Sequence, residues 1–259
     1  MTSRSTAPNG VPCWADLWTS DVAGSRAFYR QVFGWESEDP NPEFGGYFMF
    51  TRQGVPVAGA MGDMGDMKAN DTWKIYLASD DISKSVEAAE GAGAQVVVPP
   101  MEVGDAGHQA VIVDPGGAEL GIWQAKEFPG FTVLNEPASP DWFELLTRDY
   151  RGALDFYQSA FGWDLQVVGD TDDFRYSVLR DPAGQGELAG IMDAGGFLAA
   201  GEPVRWAVYW AVDDVDGVVE TATANGGAVV AEPVDTPYGR LAGITDPSGA
   251  QFKLRKGPA

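Results

Sequence analysis

Two carboxylates, Asp16 and Glu144, and two lysines, Lys74 and Lys253, stand in short apolar segments where a charge is costly to bury. Each carboxylate alternates with aromatic residues, as Trp14-Ala-Asp16-Leu-Trp18 and as Trp142-Phe-Glu144-Leu-Leu146. A strand period of two puts Trp14, Asp16 and Trp18 on one face, Lys74 and Tyr76 on another, and Glu119, Gly121 and Trp123 on a third. The second set is Trp142 and Glu144, then Tyr209, then Gln251 and Lys253. Two kinds of chemistry are open to such groups. A Lys beside a carboxylate forms a buried ion pair that satisfies both charges. A desolvated Lys gives up its proton more readily and serves as a general base, or forms a Schiff base with a carbonyl substrate. No sequence feature separates these roles or ranks Lys253 above Lys74 as a nucleophile.

The single histidine, His108, closes the segment Gly104-Asp-Ala-Gly107-His108, which reads as an exposed turn. One imidazole does not make a His-rich metal site. The chain lacks a phosphate-binding loop, a dinucleotide-binding glycine motif, a nucleophile elbow and a Cys-x-x-Cys pair. Asp63, Asp66 and Asp71 read as a solvated loop, with Met61, Met64 and Met67 as an alternative flexible lid.

These residues sit in a sequence written twice. Residues 13–35 and 141–163 share ten of 23 positions, including Trp, Leu-x-Thr-x-Asp, Phe-Tyr and Phe-Gly-Trp. Three more matches follow in order: Ala58-Gly-Ala-Met61 with Ala189-Gly-Ile-Met192, Asp80-Asp-Ile82 with Asp213-Asp-Val215, and Asp114-Pro-Gly-Gly-Ala118 with Asp246-Pro-Ser-Gly-Ala250. Each copy divides again into two modules, each a strand, a helix and three strands. Asp21 predicts a helix N-cap and Gly34 a C-terminal stop; Asp80-Asp81 starts the next helix. The expected architecture is α+β, with helices on one face of mixed sheets. The domains are expected at 11–125 and 139–256, joined by a linker at 126–138 that contains Phe128-Pro-Gly130 and Pro137.

Composition bounds the function classes. A net charge of −21 repels nucleic-acid backbones and anionic lipid. No apolar run is long enough to span a membrane. The lone Cys13 forms no intramolecular disulfide and the N-terminus shows no apolar signal segment, so a cytoplasmic location is expected.

The motif Trp-x-(Asp/Glu)-Leu-x-Thr-x-Asp, followed by Phe-Tyr, Phe-Gly-Trp and the Asp-Pro-x-Gly-Ala turn, resembles the vicinal oxygen chelate superfamily. That group includes glyoxalase I, extradiol dioxygenases and bleomycin-resistance proteins. The tandem arrangement is similar to the two-domain glyoxalase-like proteins of actinobacteria. The resemblance implies that four βαβββ modules form two cup-shaped mixed sheets. It also implies metal-binding positions on three strands of each cup, which align with Trp14, Lys74 and Gly121, and with Trp142, Ala207 and Lys253. None of these is a usual ligand, so no cofactor is expected. A two-residue slip brings in Asp16, Glu119 and Glu144, which leaves a carboxylate-only site for a divalent metal as the alternative.

The expected ligand-binding residues are Trp14, Asp16, Trp18, Lys74, Tyr76, Trp123, Trp142, Glu144, Tyr209 and Lys253. Across each cup Asp16 is expected to reach Lys74, and Glu144 to reach Lys253; these four are the catalytic candidates. His108 and its counterpart Arg240 are expected as exposed residues or as cations at the cup rims. The function expected is metal-free binding of a small, largely apolar or aromatic metabolite. The alternative is a glyoxalase-like lyase or an oxygenase- or hydroxylase-type enzyme that uses a metal or a cup lysine. A monomer or a homodimer is expected, with no nucleic-acid or membrane partner.

Overall fold

Four helices begin the same way, with an aspartate whose side chain accepts a backbone N–H of the first turn. Asp21 caps α1 (Val22–Phe33), Asp81 caps α2 (Ile82–Gly91), Asp149 caps α3 (Tyr150–Phe161) and Asp214 caps α4 (Val215–Ala224). Gly34 and Gly162 end α1 and α3 in the left-handed region, at φ 68° in each case, where a side chain would be strained. The computed structural model describes residues 2–3, 6–181, 183–184 and 186–258.

The first sheet comprises β1 (Pro12–Trp18), β2 (Glu36–Ser37), β3 (Phe48–Arg52), β4 (Val55–Met61), β5 (Thr72–Ala78), β6 (Gln95–Val103), β7 (Gly107–Val113) and β8 (Glu119–Ala125). Its spatial order is β2-β3-β4-β1-β5-β8-β7-β6. The second sheet comprises β9 (Pro140–Thr147), β10 (Leu165–Asp170), β11 (Arg175–Arg180), β12 (Glu187–Asp193), β13 (Arg205–Ala211), β14 (Ala228–Thr236), β15 (Gly239–Thr245) and β16 (Gln251–Lys256). It repeats that order as β10-β11-β12-β9-β13-β16-β15-β14. Within each sheet the two modules meet where β1 runs antiparallel to β5, and β9 to β13. The parallel pairs β1/β4, β5/β8, β9/β12 and β13/β16 flank that seam. The chain is thus α+β, with two similar halves in tandem. Among the described residues, no helix is long and apolar enough to cross a membrane.

Alternation decides what each face does. Cys13, Ala15 and Leu17, with Trp73, Ile75 and Leu77 beside them, point to the helix side and are buried. Phe143 and Leu145, with Trp206, Val208 and Trp210, do the same in the second half. The halves join through these faces: α1 packs on α4, α2 packs on α3, and the Trp73 and Trp210 rings lie 5.3 Å apart. Two matching hydrogen bonds cross the joint. Tyr29 on α1 donates to Asp246 at 3.1 Å, and Tyr157 on α3 donates to Asp114 at 3.0 Å. The tyrosine of each Phe-Tyr motif therefore serves the Asp-Pro turn of the other half. Burial pushes the carboxyls of Asp114 and Asp246 up, while turn N–H groups and the tyrosine pull them back.

The strands of the two halves end at Ala125 and resume at Pro140. Between them, Phe131 N–H donates to the Cys13 carbonyl, and Val133–Leu134 pairs with Thr2–Ser3. The chain around His108 differs from the expected turn. The turn closes at Ala106, and His108 lies within β7, opposite Gln124 of β8.

Candidate functional site

The cup face of the second sheet carries Trp142 and Glu144 on β9, Tyr176 on β11, Tyr209 on β13 and Lys253 on β16. Lys253 Nζ donates to Glu144 Oε2 and to the Tyr209 hydroxyl, both at 2.7 Å. Tyr209 donates to the same Oε2 at 2.8 Å. Trp142 Nε1 donates to the Tyr176 hydroxyl at 2.8 Å, and Tyr176 is hydrogen-bonded in turn to Glu144. Glu144 is 4% exposed, so its charge is held by partners and not by water. Burial, and then the Glu144 charge, hold both phenols well above the ordinary tyrosine range. They remain protonated and act as donors to the carboxylate.

Above this cluster lies a cavity of about 450 Å³, within the size range of small-molecule sites. Val178, Met192 and Leu241 wall it, and Val168, Phe174, Phe197 and Tyr238 form its mouth. Phe197 is 60% exposed. Arg255 lies on the wall, paired through Nε with Asp141 at 3.2 Å and with the Tyr238 carbonyl at 3.1 Å. Burial pushes the Asp141 carboxyl up and Arg255 pulls it back. A neighbouring cavity of about 560 Å³ shares Trp142, Glu187 and Arg255 with the first.

The first cup repeats half of this arrangement. Trp14 Nε1 donates to Asp16 at 2.8 Å and to the Tyr47 hydroxyl at 3.0 Å; Tyr47 donates to Asp16 at 2.9 Å. Burial pushes the Asp16 carboxyl up; hydrogen bonds from Tyr47 and Tyr76, the Lys74 charge and the Trp14 bond pull it back. No lysine bonds it. Lys74 turns to Glu119 at 2.7 Å, with its ammonium 5.5 Å from the centre of the Trp18 ring, which corrects the expected Asp16–Lys74 pair. Trp18 Nε1 donates to the Gly62 carbonyl. Phe128 and Phe131 press on Trp14 with ring centres at 4.7 and 4.9 Å, and Trp123 donates to the Phe128 carbonyl. Aromatic side chains of the chain itself thus cover Trp14 and Trp123.

Strand register corrects the metal-binding alignment. Trp14 stands opposite Tyr76 and Tyr76 beside Gly121; Trp142 stands opposite Tyr209 and Tyr209 beside Lys253. Tyr76 and Tyr209, not Lys74 and Ala207, therefore hold the middle positions. Lys74 lies level with Asp16, and Ala207 level with Glu144. Indole and ammonium offer no lone pair, a neutral phenol is a poor ligand, and Gly121 offers nothing. Among the described residues, no three His, Cys, Asp or Glu side chains converge. A divalent chelate does not fit this donor set.

His108 and Arg240 leave the cups entirely. His108 shares the face of Gln124, whose side chain accepts the N–H of Ile82 at the start of α2. Arg240 donates twice to Asp216 of α4 and once to Asp235. Both lie on the helix side, so neither is a rim cation. In the Met-rich loop, Asp63 takes Lys68 and the Ala69 N–H, and Asp71 takes the Ser20 hydroxyl and N–H. Met67 there is 53% exposed.

Sequence reasoning missed Tyr47, Tyr176, Arg255 and the aromatic mouth. One signal was present. A Cβ on Gly59 would stand 1.9 Å from the Tyr47 hydroxyl, and one on Gly190 1.9 Å from that of Tyr176. The glycine of each Ala-Gly-x-Met repeat exists to admit a tyrosine.

Comparison with known proteins agrees with the two halves. Residues 139–254 match the Glyoxalase/Bleomycin resistance protein/Dioxygenase superfamily, and residues 14–123 match the glyoxalase-like domain. The protein CFP32 of Mycobacterium tuberculosis, which bears the name of a glyoxylase, is 39% identical over 99% of this chain and 98% of its own. The chain belongs to this superfamily. The anthracycline biosynthesis protein DnrV of Streptomyces peucetius is 36% identical over 96% of this chain and 94% of its own. Among solved structures, the 2,3-dioxygenase LapB of Pseudomonas sp. KL28 has a TM-score of 0.66 at 15% identity, covering 98% of this chain and 94% of that one. The Mn(II)-bound glyoxalase of Novosphingobium aromaticivorans has a TM-score of 0.62 at 18% identity, covering 95% and 82%. These two share the fold.

Proposed function

We propose that this chain binds one small, flat, largely apolar metabolite in its second cup, without a divalent metal as the gripping group. The observation that carries this reading is Lys253, bonded to Glu144 and Tyr209 at a position where the family resemblance implies a metal ligand. A cavity of about 450 Å³ lies directly above, and its mouth is aromatic. Such a mix, mostly apolar with a few convergent polar groups, is what small-molecule sites use. The two Streptomyces relatives named for anthracycline biosynthesis support a flat, fused-ring ligand. The first cup is a weaker candidate, because Phe128 and Phe131 already occupy the space beside Trp14.

A second reading has one observation in its favour. The short Lys253–Tyr209–Glu144 chain of hydrogen bonds is a path for a proton, as a lyase- or hydroxylase-type enzyme working through a cup lysine would need. Borohydride trapping with an aldehyde tests it; a Lys253 adduct would favour catalysis over binding.

The test of the main reading has two arms. Metal analysis of protein purified without chelator is expected to show no stoichiometric Mn, Fe, Ni or Zn. Fluorescence titration with anthracene is expected to saturate at one site per chain, and to weaken in a Trp142→Ala variant. A stoichiometric metal, or no saturable binding, overturns the reading.

A further inference from the structure

We infer that the second cup selects ligands carrying a hydrogen-bond-accepting oxygen, namely a flat aromatic ketone or quinone, and that the Lys253 ammonium grips that oxygen in place of a metal. This inference rests on the reading of the second cup as a binding site.

The argument is a count of polar hydrogens. An ammonium has three donors and no acceptor. Two of the Lys253 hydrogens go to Glu144 and Tyr209, and among the described residues the third has no partner. Lys253 lines the cavity, with its side chain 28% exposed. Arg255 on the same wall meets Asp141 and the Tyr238 carbonyl through Nε and lies over the Trp142 ring at 6.0 Å, and among the described residues its terminal nitrogens make no hydrogen bond. The acceptors at the floor already face the chain's own donors. Glu144, 4% exposed, takes Lys253 and Tyr209, and the Tyr176 and Tyr209 oxygens take Trp142 and Lys253 respectively. A ligand that offers donors must compete with those bonds at the floor, and the other carboxylate of the lining is Glu187. A ligand that offers a carbonyl oxygen meets a charged donor, and charge-assisted bonds are the stronger kind.

A flat body suits this lining, because Phe174, Phe197 and Tyr238 offer aromatic surface for it to pack on. The first cup has no equivalent grip. Gly121 stands at the position of Lys253, and a Cβ there would lie 2.1 Å from the Tyr76 ring, so that ring fills the space. One grip per chain is the result.

The test uses the full chain with two flat probes, 9,10-anthraquinone, which has two carbonyl acceptors, and anthracene, which has none. Lys253→Met alone would leave Glu144 buried without its cation, so the variant is Lys253→Met with Glu144→Gln, which removes both charges. Equilibrium dialysis is expected to show anthraquinone weakened about ten- to a hundredfold in the variant, with anthracene not weakened. Raman spectra are expected to show the quinone carbonyl stretch lowered in the wild-type complex and restored in the variant complex. Equal weakening of both probes, or an unshifted carbonyl stretch in the wild-type complex, overturns the ammonium grip and leaves the cup reading standing. Failure of wild-type protein to bind either probe overturns both.

Discussion

Replacing Tyr157 by Phe should loosen the joint between the two halves by an amount the structure lets one work out. The hydroxyl donates to Asp114 at 3.0 Å and accepts from Trp206 Nε1, also at 3.0 Å, in a setting where Asp114 is 5% exposed. Its loss removes a hydrogen bond to a carboxylate and leaves a buried indole N–H unpaired. Together these are worth about 3 kcal/mol. For a chain of this size that lowers the melting temperature by about 6–12 °C. The effect depends on pH in a defined direction. Burial raises the Asp114 carboxyl, so the folded state holds its proton more tightly than the unfolded chain does. Stability therefore falls as pH rises from the ordinary aspartate value through the raised one. Removing the Tyr157 donor raises the carboxyl further, so the variant loses more across that window, and the gap to wild type widens with pH. Urea denaturation at about pH 3.5, below the ordinary aspartate value, and at about pH 8 measures it. A melting shift under about 2 °C, or a gap no larger at the higher pH, would refute the claim that this bond ties the halves together.

Two further outcomes follow from the packing. Gly190→Ala places a Cβ 1.9 Å from the Tyr176 hydroxyl, so it should cost about 1–3 kcal/mol in urea denaturation and weaken anthracene binding; unchanged stability would mean that the glycine is not making room for the ring. Phe197→Ser alters a mostly exposed side chain, so stability should move by less than about 0.5 kcal/mol while anthracene binding weakens about three- to tenfold; unchanged binding would place the route into the cavity elsewhere.

Much of the architecture was legible before any coordinates, because the signals are local. Asp21, Asp81, Asp149 and Asp214 cap helices by reaching three residues ahead. The tandem repeat and the alternation around Asp16 and Glu144 point to repeated half-buried strands. The contact between Glu144 and Lys253 could be anticipated, since both lie on the cup face, on the two strands that flank β13. The same reasoning misplaced Lys74, because Lys74 is within reach of two carboxylates and the sequence does not rank them. It misplaced His108 and Arg240 for a sharper reason. His108 reads as the end of a turn, yet it pairs with Gln124 inside a strand that begins at Gly107, and two-residue alternation then turns it to the helix side.

The sequence by itself determined four modules, two cups and the residue types available to line them, since repeats, caps and two-residue alternation act over a few neighbouring residues. The tertiary structure alone decided how each cup is lined. Phe128 and Phe131 come from the connecting segment to cover Trp14, and register sets Lys253 beside Tyr209 where the first half has only Gly121 beside Tyr76. It also decided that each half holds the other's turn, through Tyr29 and Asp246, 217 residues apart. Contacts at that separation depend on how whole sheets meet, and no local pattern encodes them.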